Sequence, residues 1–193
     1  MACSSIKHLM PLLLLISSIA IASDEFGSES PIEDPDEIPL PVISYLSKEI
    51  NLVTQGCQER KLSDALEAKL VNISTHSKAL VVKPKSWCLC GTYYCPMWLF
   101  QIQGNTANRI WSTEGTSGFE ILDKKSNGYR QIKESGGVAT HGHESIWFWG
   151  GKKYKETYRQ VWTWNNEKAC REAETFHLKH GELEKAPDSC IPE

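Results

Sequence analysis

From residue 66 onward, apolar and polar residues alternate in short runs broken by turn-forming residues. Residues 66–74 and 79–83 flank Thr75-His76-Ser77-Lys78, and residues 97–103 and 109–113 flank Gly104-Asn105. Residues 118–123 and 129–133 flank Ser126-Asn127-Gly128, and residues 145–149 and 152–156 flank Gly150-Gly151. An Asn-Gly step favours the positive φ that tight hairpins require. Residues 158–164 add a further strand. Short strands at this spacing predict antiparallel hairpins forming a sheet or a barrel-like domain. Upstream, Val42, Ile43, Leu46, Ile50 and Val53 recur at helical spacing, which predicts a helix over 39–53 ending near Gly56. Residues 167–183 are charged, with Ala169, Ala173, Phe176 and Leu178 as apolar positions, and a short helix is expected there. The fold class expected is α+β, dominated by antiparallel hairpins, with an N-terminal helix and a disulfide-tied C-terminal tail.

The N-terminus changes the picture. Lys7 and His8 precede an apolar run over 9–22, and Ala20-Ile21-Ala22 supplies a cleavage site of small residues. Residues 1–22 therefore read as a secretory signal peptide rather than a membrane span. No later apolar run approaches spanning length, so no membrane insertion is expected after cleavage. Residues 23–38 hold Asp24, Glu25, Glu29, Glu33, Asp34, Asp36 and Glu37 without a base, and predict a disordered acidic leader. Residues 39–193 form one β-rich domain. The formal net charge is −3 and no stretch is strongly basic, which argues against nucleic acid as a partner.

Export makes the cysteines a disulfide framework. Cys3 leaves with the signal, so Cys57, Cys88, Cys90, Cys95, Cys170 and Cys190 remain. Cys88 and Cys90 are too close to bond each other comfortably. A small loop Cys90–Cys95 and a tail staple Cys170–Cys190 leave Cys57 with Cys88, one preference among many connectivities. The rival is a metal site drawing on Cys88, Cys90 and Cys95 with His141 and His143. That spacing departs from the usual C-x2-C pairs, so no metal and no cofactor is expected.

Trp147 and Trp149 share one face of their strand, and Ile146 and Phe148 the other. With Gly150-Gly151 as a two-residue turn, Trp147 would face Tyr154. Such a surface suits stacking on a sugar or a protein partner, and the plain alternative is core packing. Residues 136–144 read as a flexible polar loop bringing His141, His143 and Glu144 together, able to bind a metal or exchange protons. The plain alternative is a solvated loop. No G-x-S-x-G, H-E-x-x-H, phosphate-binding glycine loop or EF-hand loop occurs, so the chain carries no catalytic signature.

Cys90-x4-Cys95-Pro96-Met97-Trp98-Leu99-Phe100, Gly118-Phe119-Glu120-Ile121-Leu122, Ser126-Asn127-Gly128-Tyr129-Arg130-Gln131-Ile132 and Trp147-x-Trp149-x-Gly151-x-x-Tyr154 resemble a family of uncharacterised exported bacterial proteins. The resemblance covers residues 66–156 and implies bacterial origin, export and a small β-rich domain, without an activity. The acidic D-x-N-x-D-G loop of that family has no counterpart in residues 69–80, and Gln131 stands where an Asp is expected. These observations together point to a secreted or periplasmic binding protein. The first expectation is an inhibitor or immunity-type partner of a cell-wall-acting enzyme. The alternatives are a carbohydrate- or peptidoglycan-binding module using the aromatic face, and a hydrolase using His141, His143 and Glu144. The partner expected is a protein or glycan of the cell envelope.

Overall fold

The computed structural model describes residues 24–91 and 94–192. The expected signal peptide, residues 1–22, lies outside the described residues. In chain order the strands are β1 (Asp24–Gly27), β2 (Leu66–Asn72), β3 (Lys78–Pro84), β4 (Cys95–Gln103), β5 (Thr106–Thr116), β6 (Gly118–Ser126) and β7 (Tyr129–Val138). They continue with β8 (His141–Trp149), β9 (Tyr154–Asn165), β10 (Cys170–Lys179), β11 (Glu182–Lys185) and β12 (Ser189–Pro192). Among the described residues, helix is confined to α1 (Leu40–Leu46), the single turn α2 (Leu62–Ala65) and a 3-10 turn at Trp87–Leu89.

The strands make two antiparallel sheets. The smaller runs β2-β3-β4-β5, and the larger runs β1-β6-β7-β8-β9-β10-β11, with β12 also on β10. Both are open, so the barrel-like alternative is not the one adopted. Alternation assigns the smaller sheet two apolar faces. Val71, Val81, Met97 and Leu99 pack toward Phe119, Ile121 and Ile132 of the larger sheet. Ala68, Leu80, Val82, Trp98 and Phe100 pack under Val42 and Leu46 of α1. A strand sandwiched this way is apolar on both sides, and β3 is buried from Ala79 to its end. Even its Lys83 is buried, held by Glu67 opposite it at 2.6 Å.

Five expectations are corrected. The helix expected over 39–53 is not formed: only Leu40–Leu46 is helical. The Asn51 side chain accepts the N–H groups of Val53 and Thr54, an Asx turn that competes with helix. Val53 is consequently left exposed. The acidic leader is not free of the domain either. It forms β1 against β6, with Phe26 stacked on Phe119 at 5.1 Å and Asp24 bound to Arg130. Further along, Asp36 accepts the Leu70 N–H at 2.7 Å. One buried phenylalanine and an unpaired strand edge outweigh the unfavourable composition. The tail is strand rather than helix, because the twelve-residue β9 offers β10 a complete edge to pair with.

The other two concern turns and register. Ser126-Asn127-Gly128 turns as expected, with Asn127 and Gly128 both at positive φ. Gly150-Gly151 does not make a two-residue turn: Trp149 pairs with Tyr154 across residues 150–153, closed by Gly150 N–H to the Lys153 carbonyl at 2.9 Å. Trp147 therefore faces Glu156 instead of Tyr154. Residues 136–144 are no loop, because β7 and β8 pair up to Val138 and His141. The disulfides are Cys57–Cys88, Cys90–Cys95 and Cys170–Cys190.

Candidate functional site

The core-facing side of β8 carries a gradient. Trp149 lies deep between the sheets, and Trp147, Ser145, His143 and His141 follow at intervals of two toward an open end. Beyond the core this face forms a cleft of about 920 Å³, with Tyr94 and residues 112–114 of β5 as its other wall.

Two carboxylates stand in it. Glu134 on β7 is on the same face as Ile132, and is 6% exposed. It accepts the Thr113 hydroxyl at 2.5 Å and the Trp147 indole N–H at 3.1 Å. The His143 imidazole is 3.9 Å away. Glu156 on β9 accepts the Ser145 hydroxyl at 2.7 Å and both Nε and Nη2 of Arg159, at 2.9 and 2.5 Å. That bond raises the guanidinium's proton affinity further.

The Glu156–Arg159 pair depends on a β-bulge. Residues three apart in a regular strand point to opposite faces. Here Ile146 pairs with Tyr158 while Trp147 pairs with Glu156, so Thr157 is the extra residue. The bulge returns Arg159 to the face of Glu156. Glycine makes room at the open end. A Cβ on Gly136 would lie 2.5 Å from His143 Cε1 and 3.0 Å from Tyr94 Cε1. The bare backbone of β7 is what lets the imidazole lie across it, beside the Tyr94 ring at 6.4 Å. Gly142 does the same for Trp162, whose ring also carries the Arg171 guanidinium at 4.8 Å.

The residues singled out from sequence divide. His141, His143 and Trp147 line the cleft. Trp149 and Tyr154 do not: Trp149 stacks on Tyr129 at 4.3 Å, and the Tyr154 hydroxyl donates to the Arg130 carbonyl at 2.8 Å. Burial pushes the Tyr154 hydroxyl well above the ordinary tyrosine range. Glu144 is on the opposite face of β8, paired with Lys133 at 2.7 Å, which raises the lysine's proton affinity. His141, His143 and Glu144 therefore do not converge. Among the described residues, the three-ligand group within 4.8 Å is Cys57, Glu59 and Cys88, and its sulfurs form a disulfide.

Sequence reasoning missed Glu134, Glu156, Arg159 and Tyr94. A usable signal existed for the carboxylates: each is an acid at an inward position of the alternation, two residues from Ile132 and Tyr154 respectively. No signal announced the bulge. No protein-family model, curated protein or solved structure matches this chain.

Proposed function

We propose that this is an exported binding protein that takes a glycan unit of the cell envelope in the Glu134–Trp147 cleft. The observation that carries the reading is the anchoring of Trp147. Its N–H is tied to a buried carboxylate, which holds the indole in the cleft wall and presents an apolar surface without further ordering cost. Around it, Glu134, Glu156, Arg159 and His143 offer acceptors and donors of the kind that sugar hydroxyls require. The volume lies within the range of about 300–1,000 Å³ typical of small-ligand sites. Three disulfides and the apolar leader ending at Ala22 support export. Among the described residues, no helix is long and apolar enough to cross a membrane. The inhibitor reading gains no residue from the fold, and the hydrolase reading loses Glu144 to the other face.

Calorimetry of the mature protein against peptidoglycan fragments and chitin oligosaccharides tests the proposal. Saturable binding that Trp147→Ala weakens at least tenfold, about 1.4 kcal/mol, is expected. Binding that Trp147→Ala leaves unchanged, or none to any glycan, overturns it.

A further inference from the structure

The charges in the cleft do not balance. Glu114, Glu134 and Glu156 line it against one arginine, and Arg159 already gives two hydrogen bonds to Glu156. Glu134 accepts from two neutral donors, a hydroxyl and an indole N–H. Among the described residues, its nearest basic partner is His143, at 3.9 Å. Arg159 acts on Glu134 only through its longer-range field. A buried carboxylate with no cation in hydrogen-bond contact is costly, a cost that an incoming ammonium group would relieve. Two hydrogen bonds also leave acceptor capacity on the carboxylate. Aromatic rings stand around this position: Trp147 is bonded to Glu134, and Tyr94 lies beside His143. An acetamide carries no charge for that carboxylate to pair with. Lys133, the neighbouring lysine on β7, is engaged by Glu144 on the opposite face.

We infer that the cleft selects a glycan bearing a free, protonated amino group, with Glu134 as its counter-ion. This rests on the glycan reading above. The titratable and charged groups facing the position are Tyr94, Glu114 of β5, Glu134 of β7, His141 and His143 of β8, and Glu156 and Arg159 of β9.

The test compares the tetrasaccharide of glucosamine with that of N-acetylglucosamine, by calorimetry at about pH 6, below the ~7.7 of an α-amino group, which like the sugar amine sits beside electron-withdrawing substituents. The free amine is expected to bind at least about tenfold tighter, and Glu134→Gln should weaken the amine more than the acetylated ligand, so that the preference is lost. Raising the pH to about 9 on the unmutated protein is a second measurement that needs no variant. It should weaken the amine alone, with the acetylated ligand as the control for any other effect of pH. Equal affinities in the unmutated protein, or a preference that survives both Glu134→Gln and the rise in pH, overturn the inference and leave the glycan reading standing. Binding of neither tetrasaccharide, nor of any peptidoglycan fragment, overturns both.

Discussion

The Trp147 indole donates to Glu134 at 3.1 Å, although Ser145, and not Trp147, stands opposite Glu134 across the β7–β8 ladder. Ser145 in turn donates to Glu156, which stands opposite Trp147. Each carboxylate is thus held by the residue diagonal to it. The two bonds cross over one short stretch of β8 and fix both acids in the same cleft.

Trp147→Phe keeps a ring but removes the donor, leaving Glu134 with Thr113 alone. A loss of about 1–3 kcal/mol is expected in urea denaturation, as for a buried acceptor deprived of a partner. An unchanged midpoint would show that the bond contributes nothing to the fold.

Gly136→Ala puts a methyl 2.5 Å from the His143 ring. The ring must move, at a cost of about 1–3 kcal/mol. In a double-mutant cycle, His143→Ala should recover most of that cost, because it removes the obstructing ring. Additive effects would place the strain elsewhere in β7.

Lys83 and Glu67 form an ion pair with side chains 3% and 7% exposed. Removing one partner strands a buried charge, so Lys83→Met should cost about 3–5 kcal/mol. The pair Lys83→Met with Glu67→Leu should return to within about 1 kcal/mol of the original, or exceed it. If the double variant is the least stable, the pair contributes net stability.

Tyr154 sets a limit at high pH. Its folded-state pKa is raised, mainly by burial, so the unfolded chain releases the proton first. The stability associated with the neutral hydroxyl is complete below about pH 10, the ordinary tyrosine value, and declines as pH rises beyond it. Tyr154→Phe should flatten that part of the decline, while costing about 1 kcal/mol at neutral pH for the lost bond to the Arg130 carbonyl. Denaturation midpoints of the two proteins above pH 10, taken as a difference, give the answer.

Cys170–Cys190 ties β12 to β10, and neither cysteine belongs to the two core clusters. Replacing both cysteines with serine should raise amide exchange in β10, β11 and β12 and leave β3 and β4 protected. Exchange rising equally in β3 and β4 would mean that the tail and the core unfold as one unit.

The hairpin ladder, the Asn127-Gly128 turn and the Cys90–Cys95 loop were legible because each rests on nearby residues: a period of two, one step at positive φ, a short loop. The leader was misread for the opposite reason. Composition counts its acids, but what places it is Phe26 meeting Phe119, about ninety positions away. The tail was misread because its apolar residues are few and β9 supplies the pairing.

The candidate site shows the same division. The sequence by itself determined that Trp147 and Trp149 share one face, since alternation in a strand is a local consequence of backbone geometry. That the strand extends back to His141, bringing His141 and His143 onto that face, was decided by its pairing with β7 and β9. The sequence also placed acids at positions 134 and 156, two residues from inward apolar neighbours. Only the tertiary structure decided that these acids meet. The four-residue turn at 150–153 shifts the partner of Trp147 from Tyr154 to Glu156, and the bulge at Thr157 brings Arg159 onto the same face. Register depends on how a whole strand fits its neighbours, and one inserted residue reverses the face of every side chain beyond it.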